Sequence, residues 1–97
     1  MEIGTLLDGN HTAIQKEMQI LKEIAGAKII YKVFQKEEGM PPHTNPTDVF
    51  AIVLSGKMEI TLEGENNFFE SGDYIHFPAN AVHELMCIND AKILIIK

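Results

Sequence analysis

The side chains in this 97-residue sequence best suited to chemistry are two imidazoles, His43 and His83, each delivered by a turn-rich stretch. His43 closes Gly39-Met40-Pro41-Pro42-His43, and His83 follows Pro78-Ala79-Asn80-Ala81-Val82. Imidazole changes charge near neutral pH, ligates metals and hydrogen-bonds in either sense, so a convergent pair makes a natural centre for a binding site or a catalytic one. Cys87 is the single thiol. No Cys-His signature surrounds it, so it reads as a small apolar filler and not as a nucleophile. Asp73, after Gly72, reads as a turn carboxylate accepting local backbone N–H groups. His11, beside Asn10 in a polar stretch, is given no role.

The elements that must position the imidazoles are strands. Short β-patterned segments succeed one another from residue 27 onward, over 27–36, 48–55, 57–63, 68–69, 73–77, 83–88 and 92–96. Gly, Pro, Asn and Asp punctuate the gaps. Residues Lys57 to Glu63 alternate, with Met58, Ile60 and Leu62 turned to a core and Lys57, Glu59 and Thr61 to water. Residues Val49 to Leu54 are apolar on both faces, so Phe50, Ile52 and Leu54 need cover from the N-terminal segment or from a second copy of the chain. Residues 12–25 fit two patterns. Ile14, Met18, Leu21 and Ala25 recur at helical spacing, while alternation through Met18 and Ile20 suits an outer strand beside 27–36. The expectation is one domain over 1–97, with 1–26 a strand or short helix packed on a barrel formed by 27–97.

Two blocks carry a resemblance. Gly39 to Gly56 and Gly72 to His83, the second reading Gly72-Asp73 and then Pro78-Ala79-Asn80-Ala81-Val82-His83, are similar to the two motifs of the cupin family. The likeness runs from about Lys28 to Ile96. It implies an all-β fold, an antiparallel jelly-roll barrel or double-stranded β-helix, with two sheets enclosing a pocket open at one end. Asn80 stands where the family places glycine, and asparagine tolerates the left-handed backbone that the turn requires. The first block departs from the pattern at the metal ligands. His43 takes the first histidine position, Asn45 replaces the second, and Val49 falls at the ligand glutamate. Asp48 is adjacent, but one residue along a strand turns a side chain to the other face. A related group of small cupins is similar here, with His-x-Thr/Asn-Pro in place of His-x-His.

The metal set the resemblance implies is therefore reduced to His43 and His83, with Asn45 able to offer an amide oxygen and His76 an imidazole if its strand turns inward. Such a set could hold one divalent transition metal, Fe, Mn, Ni or Zn. Without a carboxylate, the same residues also read as hydrogen-bonding groups of a metal-free pocket. Alternation from His83 places Leu85 and Cys87 on the pocket face. Val49 and Ala51 face the pocket from the first block, and Tyr31 and Gln35 are assigned to it because Lys32 and Lys36 want water. Two functions follow: a module binding a small polar or partly apolar metabolite, or a metal-dependent enzyme, a dioxygenase or isomerase. The net charge of −6 argues against nucleic-acid and anionic-membrane partners. A lone cysteine and an N-terminus unlike a signal peptide fit a cytoplasmic protein, and the doubly apolar strand suggests a homodimer.

Overall fold

Two stretches of the chain are apolar for longer than one flat strand can use, and both solve the problem by bending. In the computed structural model, which describes residues 1, 3, 5, 6 and 18–97, strands β1 (Met18–Ile24), β2 (Ala27–Phe34), β3 (Gly39–His43), β4 (Val49–Leu62), β5 (Glu65–Glu70), β6 (Tyr74–Phe77) and β7 (His83–Ile96) form an all-antiparallel system. β4 and β7 have 14 residues each and pair with one another throughout. Their register slips between Val53 and Met58, and there both strands turn a corner.

The corner divides the strands between two layers. In the first sheet the order is β1, β2, the second half of β7, the first half of β4, then β6. In the second it is β3, the first half of β7, the second half of β4, then β5. Val49, Ala51 and Val53 face inward from one sheet, Met58, Ile60 and Cys87 from the other, and Phe34, Phe77, Ala91 and Ile93 complete the core between them. This is the jelly-roll arrangement expected for the fold. No described helix is long and apolar enough to cross a membrane.

Several local expectations change. The break read at Ser55-Gly56 is the corner of one continuous strand, and 83–88 and 92–96 likewise join across Asn89-Asp90. Met40-Pro41-Pro42, read as a turn, lies in β3, an edge strand with a bulge between Met40 and His43, where missing N–H donors cost no ladder bond. Of the ambiguous 12–25 segment, Met18–Ile24 is a strand, and 12–17 and His11 lie outside the described residues. A register shift between Ile20 and Lys22 breaks the two-residue period there, which is why its apolar spacing imitates a helix.

The face of β2 is the reverse of the expected one. Phe34 packs into the core, whereas Tyr31, 1% exposed, lies on the outer side, its hydroxyl donating to the Leu6 carbonyl at 3.3 Å. Burial there pushes the Tyr31 hydroxyl pKa up. Lys32 shares the face of Phe34 because it need not be fully buried. Its ammonium sits 4.7 Å from the centroid of the Phe34 ring, an apolar stem with a cation over a π face.

The corner is closed by contact between backbones. Gly56 has φ of +85°, and a Cβ at this position would stand 2.1 Å from the Asp90 carbonyl oxygen. Asp90 in turn accepts from the Lys36 N–H through Oδ1 at 2.8 Å, tying β2 to the same point. Gly56→Ala is expected to destabilise the protein by roughly 2–4 kcal/mol, from positive φ plus displaced backbone. Gly64→Ala, at φ of +79° with nothing within 4 Å of the added Cβ, should cost only about 1 kcal/mol. Urea unfolding midpoints of the two variants check the difference, and equal losses would show that the corner is not tightly closed.

Candidate functional site

Because β4 and β7 both leave one end of the barrel, turn at the corner and come back, their four ends lie together. Val49 and Leu62 begin and end β4, while His83 and Ile96 begin and end β7; Phe50 pairs with Ile96 and Leu62 with His83. This open end is where the two sequence blocks meet. β3 brings His43 directly opposite His83 in register. Their ring centroids are 4.1 Å apart with planes inclined by 58°, and Phe77 lies against the other side of His83 at 4.4 Å.

Backbone carbonyls orient both rings. Nδ1 of His43 faces the Pro41 oxygen at 2.8 Å, and Nδ1 of His83 faces the Ala81 oxygen at 3.0 Å. A carbonyl can only accept, so the geometry assigns each Nδ1 as a donor; in the neutral form of the ring the lone pair is then on Nε2. Asn45 turns its Nδ2 towards the Nε2 of His83 at 3.5 Å, a long and weak donation. Among the described residues the Nε2 of His43 meets no hydrogen-bond partner.

The loops that present these groups are stitched to one another. The Asn80 N–H donates to the Asn45 carbonyl at 2.7 Å, and the Ala79 N–H donates to Oδ1 of Asp48 at 2.8 Å. Asn80 adopts φ of +65°, the left-handed geometry that its turn requires. On the far side the Glu63 N–H donates to the Val82 carbonyl, and the Val82 N–H returns to the Glu63 carboxylate. Asp73 accepts from the Glu70 N–H at 2.8 Å, the turn-holding use expected of it.

Beneath the imidazoles lies a cavity of about 170 Å³. His43, Asn45, Val49, Ala51, His83 and Leu85 line it, so six of the nine residues assigned to a pocket surround one space. Phe34, Met40, Val53, Ile60, Ile75, Phe77, Ile93, Ile95 and Lys97 complete the lining and were not assigned to it. Val53 and Ile60 continue the alternation from Val49 and Met58, and that pattern could have found them. Lys97 extends the Ile93, Ile95 alternation one step past the end of β7, where no motif points.

The other three assigned residues lie elsewhere. Tyr31 is on the outer face, and Gln35 is exposed beyond the end of β2, its N–H donating to Glu38. Cys87 does point between the sheets, as alternation requires, but it pairs with Met58 next to the corner, deeper than the cavity. It is 1% exposed, its Sγ donates to the Asn89 carbonyl at 3.0 Å, and burial pushes its thiol pKa up.

The possible extra metal ligands do not assemble. His76 pairs with Phe50 on the outer face and points its Nε2 at Asp48, 3.6 Å away. Asp48 is exposed and occupied by the Ala79 amide and His76. Val49, 6% exposed, places a branched hydrocarbon in the cavity wall at the site of the expected carboxylate. Among the described residues no three His, Cys, Asp or Glu side chains lie close enough to hold a metal ion. The donor set is two neutral nitrogens and a loosely held amide, which does not fit a resident divalent transition metal.

Comparison with known proteins follows the same outline. The chain matches solved structures of a cupin superfamily protein from Desulfitobacterium hafniense (20% identity, TM-score 0.76, covering 82% of this chain and 73% of that one) and of a protein of unknown function from Streptococcus pyogenes (22% identity, TM-score 0.74, 99% and 93%). A more distant likeness is to salicylate 1,2-dioxygenase from Pseudaminobacter salicylatoxidans, at 13% identity and TM-score 0.69, covering 72% of this chain but 20% of the enzyme. At these identities the likeness is one of fold. No protein with a curated description matches the sequence. The cupin domain family model matches residues 30–97, the stretch that contains the paired imidazoles and both halves of the bent strands, and the chain belongs to the cupin family.

Proposed function

We propose that this cupin is a small-molecule-binding protein whose ligand occupies the space beneath His43 and His83 and is held without a metal. One observation carries the reading: a preformed apolar cavity lies beneath two imidazoles that pack against each other at 4.1 Å and keep their Nδ1 atoms on backbone carbonyls. A dry cavity of about 150 Å³ lined by aliphatic and aromatic groups is known to take up benzene, so the 170 Å³ here suits one six-membered ring or a branched chain of similar bulk. Val49 removes the charge that would otherwise attract a cation and adds apolar surface for the ligand body. Benzyl alcohol is expected to bind with a Kd of about 1 mM or tighter, roughly 4 kcal/mol, and to shift the amide resonances of Ala51, Val53 and Ile93 saturably. Ala51→Phe should fill the space and abolish those shifts while the protein stays folded. Shifts that survive in the filled variant would place the probe elsewhere and remove the reading.

A metal-dependent enzyme, such as a dioxygenase or isomerase, is the second reading, favoured by the two imidazoles brought together at one barrel end and by the fold shared with a dioxygenase. The missing element is a carboxylate, so Val49→Glu is the decisive variant. It is expected to raise Ni²⁺ or Co²⁺ affinity by about 100-fold or more, measured by equilibrium dialysis and elemental analysis, against weak and substoichiometric binding by the unaltered protein. Stoichiometric metal that survives dialysis in the unaltered protein would favour the enzyme instead.

The outer face of the first sheet supports a homodimer. Phe50, Ile52 and Leu54 are only half-buried; Ile96 and Leu94 lie opposite the first two, and Tyr74 stacks on Phe50 with centroids 5.4 Å apart. A row of this kind is costly to leave in water and offers the same surface to a second copy. Sedimentation velocity at micromolar concentration should show twice the 10.9 kDa chain mass, and Phe50→Lys should return it to the monomer. A monomer in the unaltered protein would remove the dimer.

A further inference from the structure

We propose that Met40 is a site of reversible oxidation and that its sulfoxide weakens binding in the cavity. The inference rests on the binding reading above and adds a redox control to that same site. It comes from where the fold places the sulfur atoms of the chain.

Access sorts those atoms into two groups. Met1, Met18, Met40 and Met86 are exposed, whereas Met58 is fully buried. The single thiol, Cys87, is 1% exposed and keeps its proton, because burial pushes its pKa up. An oxidant in solution therefore reaches thioethers and not the thiol.

Of the exposed methionines only Met40 lines the cavity. The register gives the reason: Met40 stands directly opposite Leu85, so the two side chains share a face, and Leu85 packs against the core. Beyond Met40 the ladder is interrupted by the bulge that contains Pro41 and Pro42, and among the described strands β3 pairs with β7 alone. Gly39, Met40 and Pro41 also border an open groove of about 430 Å³, shared with Glu59, Thr61 and Glu84. The edge strand is thus a thin wall between cavity and solvent, and Met40, 36% exposed, belongs to both sides. Met86 is opposite Gly39 and lines the groove without touching the cavity, so it is an oxidisable thioether with no part in binding.

The chemistry needs a peroxide. The thioether sulfur attacks one oxygen of hydrogen peroxide, the O–O bond breaks as an S–O bond forms, and the departing hydroxide takes the remaining proton and leaves as water. Sulfur is oxidised and the peroxide reduced, and methionine sulfoxide reductases with a thiol reductant reverse the change. The product carries a strong acceptor where the wall was apolar. The aliphatic side chains of Val53, Ile60, Ile93 and Ile95, which also line the cavity, offer it no donor. Either the oxygen stays inside without a partner, or the side chain swings out to water and leaves the wall open. A ligand loses apolar contact in both cases.

Peptide mapping by mass spectrometry after graded hydrogen peroxide, combined with NMR titration of benzyl alcohol, tests the proposal. Met40 and Met86 are expected to gain one oxygen each at doses that leave Met58 and Cys87 unmodified, and the Kd for benzyl alcohol to rise about tenfold or more. Treatment with the reductases should restore the starting Kd. Met86→Leu should respond to peroxide as the unaltered protein does. Met40→Leu, whatever its own Kd, should show the same value before and after peroxide; unfolding midpoints confirm that the oxidised and substituted proteins are folded. If Met40 stays reduced while Met86 is oxidised, if its oxidation leaves the Kd unchanged, or if Met40→Leu still loses affinity on oxidation, the redox inference is overturned while the cavity still binds. If benzyl alcohol does not bind the untreated protein, the binding reading and this inference fall together.

Discussion

The bend shared by β4 and β7 is the constraint on which the rest of this molecule depends. A strand of 14 residues laid flat would carry its ends far from each other, at about 3.3 Å per residue. Folded at Gly56 and Asp90, each strand returns to the level where it began, and the start of one half faces the end of the other across the barrel. Everything polar in the cavity is a consequence. His83 lies at one end of β7, Lys97 just past the other, and His43 reaches them only because β3 pairs with the first half of β7. The tight approach of Gly56 to the Asp90 carbonyl is thus remote from the site in space and central to its assembly.

Once the strands have bent, the chemistry of the cavity is decided by what alternation turns inward. Val49, Ala51 and Val53 form a smooth hydrocarbon wall where a metal-binding relative would carry an anion, and the imidazoles above that wall are fixed by neutral carbonyl groups. A carboxylate would have drawn divalent ions and given the rings a charged companion. Its absence leaves two imidazoles over a hydrocarbon floor, and the proposed binding of an amphipathic organic molecule rests on that arrangement.

Much of this was legible in the sequence, and the failures have definite physical origins. Alternation over Lys57 to Glu63 and the two turn-rich blocks located the strands that matter, and His43, Asn45, Val49, Ala51, His83 and Leu85 do surround one space. Cys87 shows what alternation omits: it gives the face of a strand but not the depth, and a bend brings Cys87 beside Met58, below the cavity. Tyr31 and Gln35 fall outside the cavity because a lysine need not turn its strand face to water: Lys32 shares the face of Phe34 and sets its ammonium over that ring. The two breaks read in β4 and β7 rested on glycine and Asn-Asp signals that mark corners as well as turns. Residues 12–25 fit a helix as well as a strand, and in the described part, 18–24, a bulge between Ile20 and Lys22 shifts the apolar period by one.

The same bend ties stability to recognition in a way that a flat sandwich would not. Loosening the corner would let the halves of β7 slide, and the register that sets His83 opposite His43, at the far end of the strands from the corner, depends on their staying in place. The entrance has its own stitches: Asn80 to Asn45, Ala79 to Asp48, and the reciprocal pair between Glu63 and Val82. These hold the loops in place but cannot set the distance between the sheets, because each joins neighbouring chain segments near the rim. The sheet spacing is set by the packed core of Met58, Cys87, Ala91 and Ile93 nearer the corner. A ligand that fills the space above this core gains apolar contact with both sheets at once, so its binding must also resist their separation.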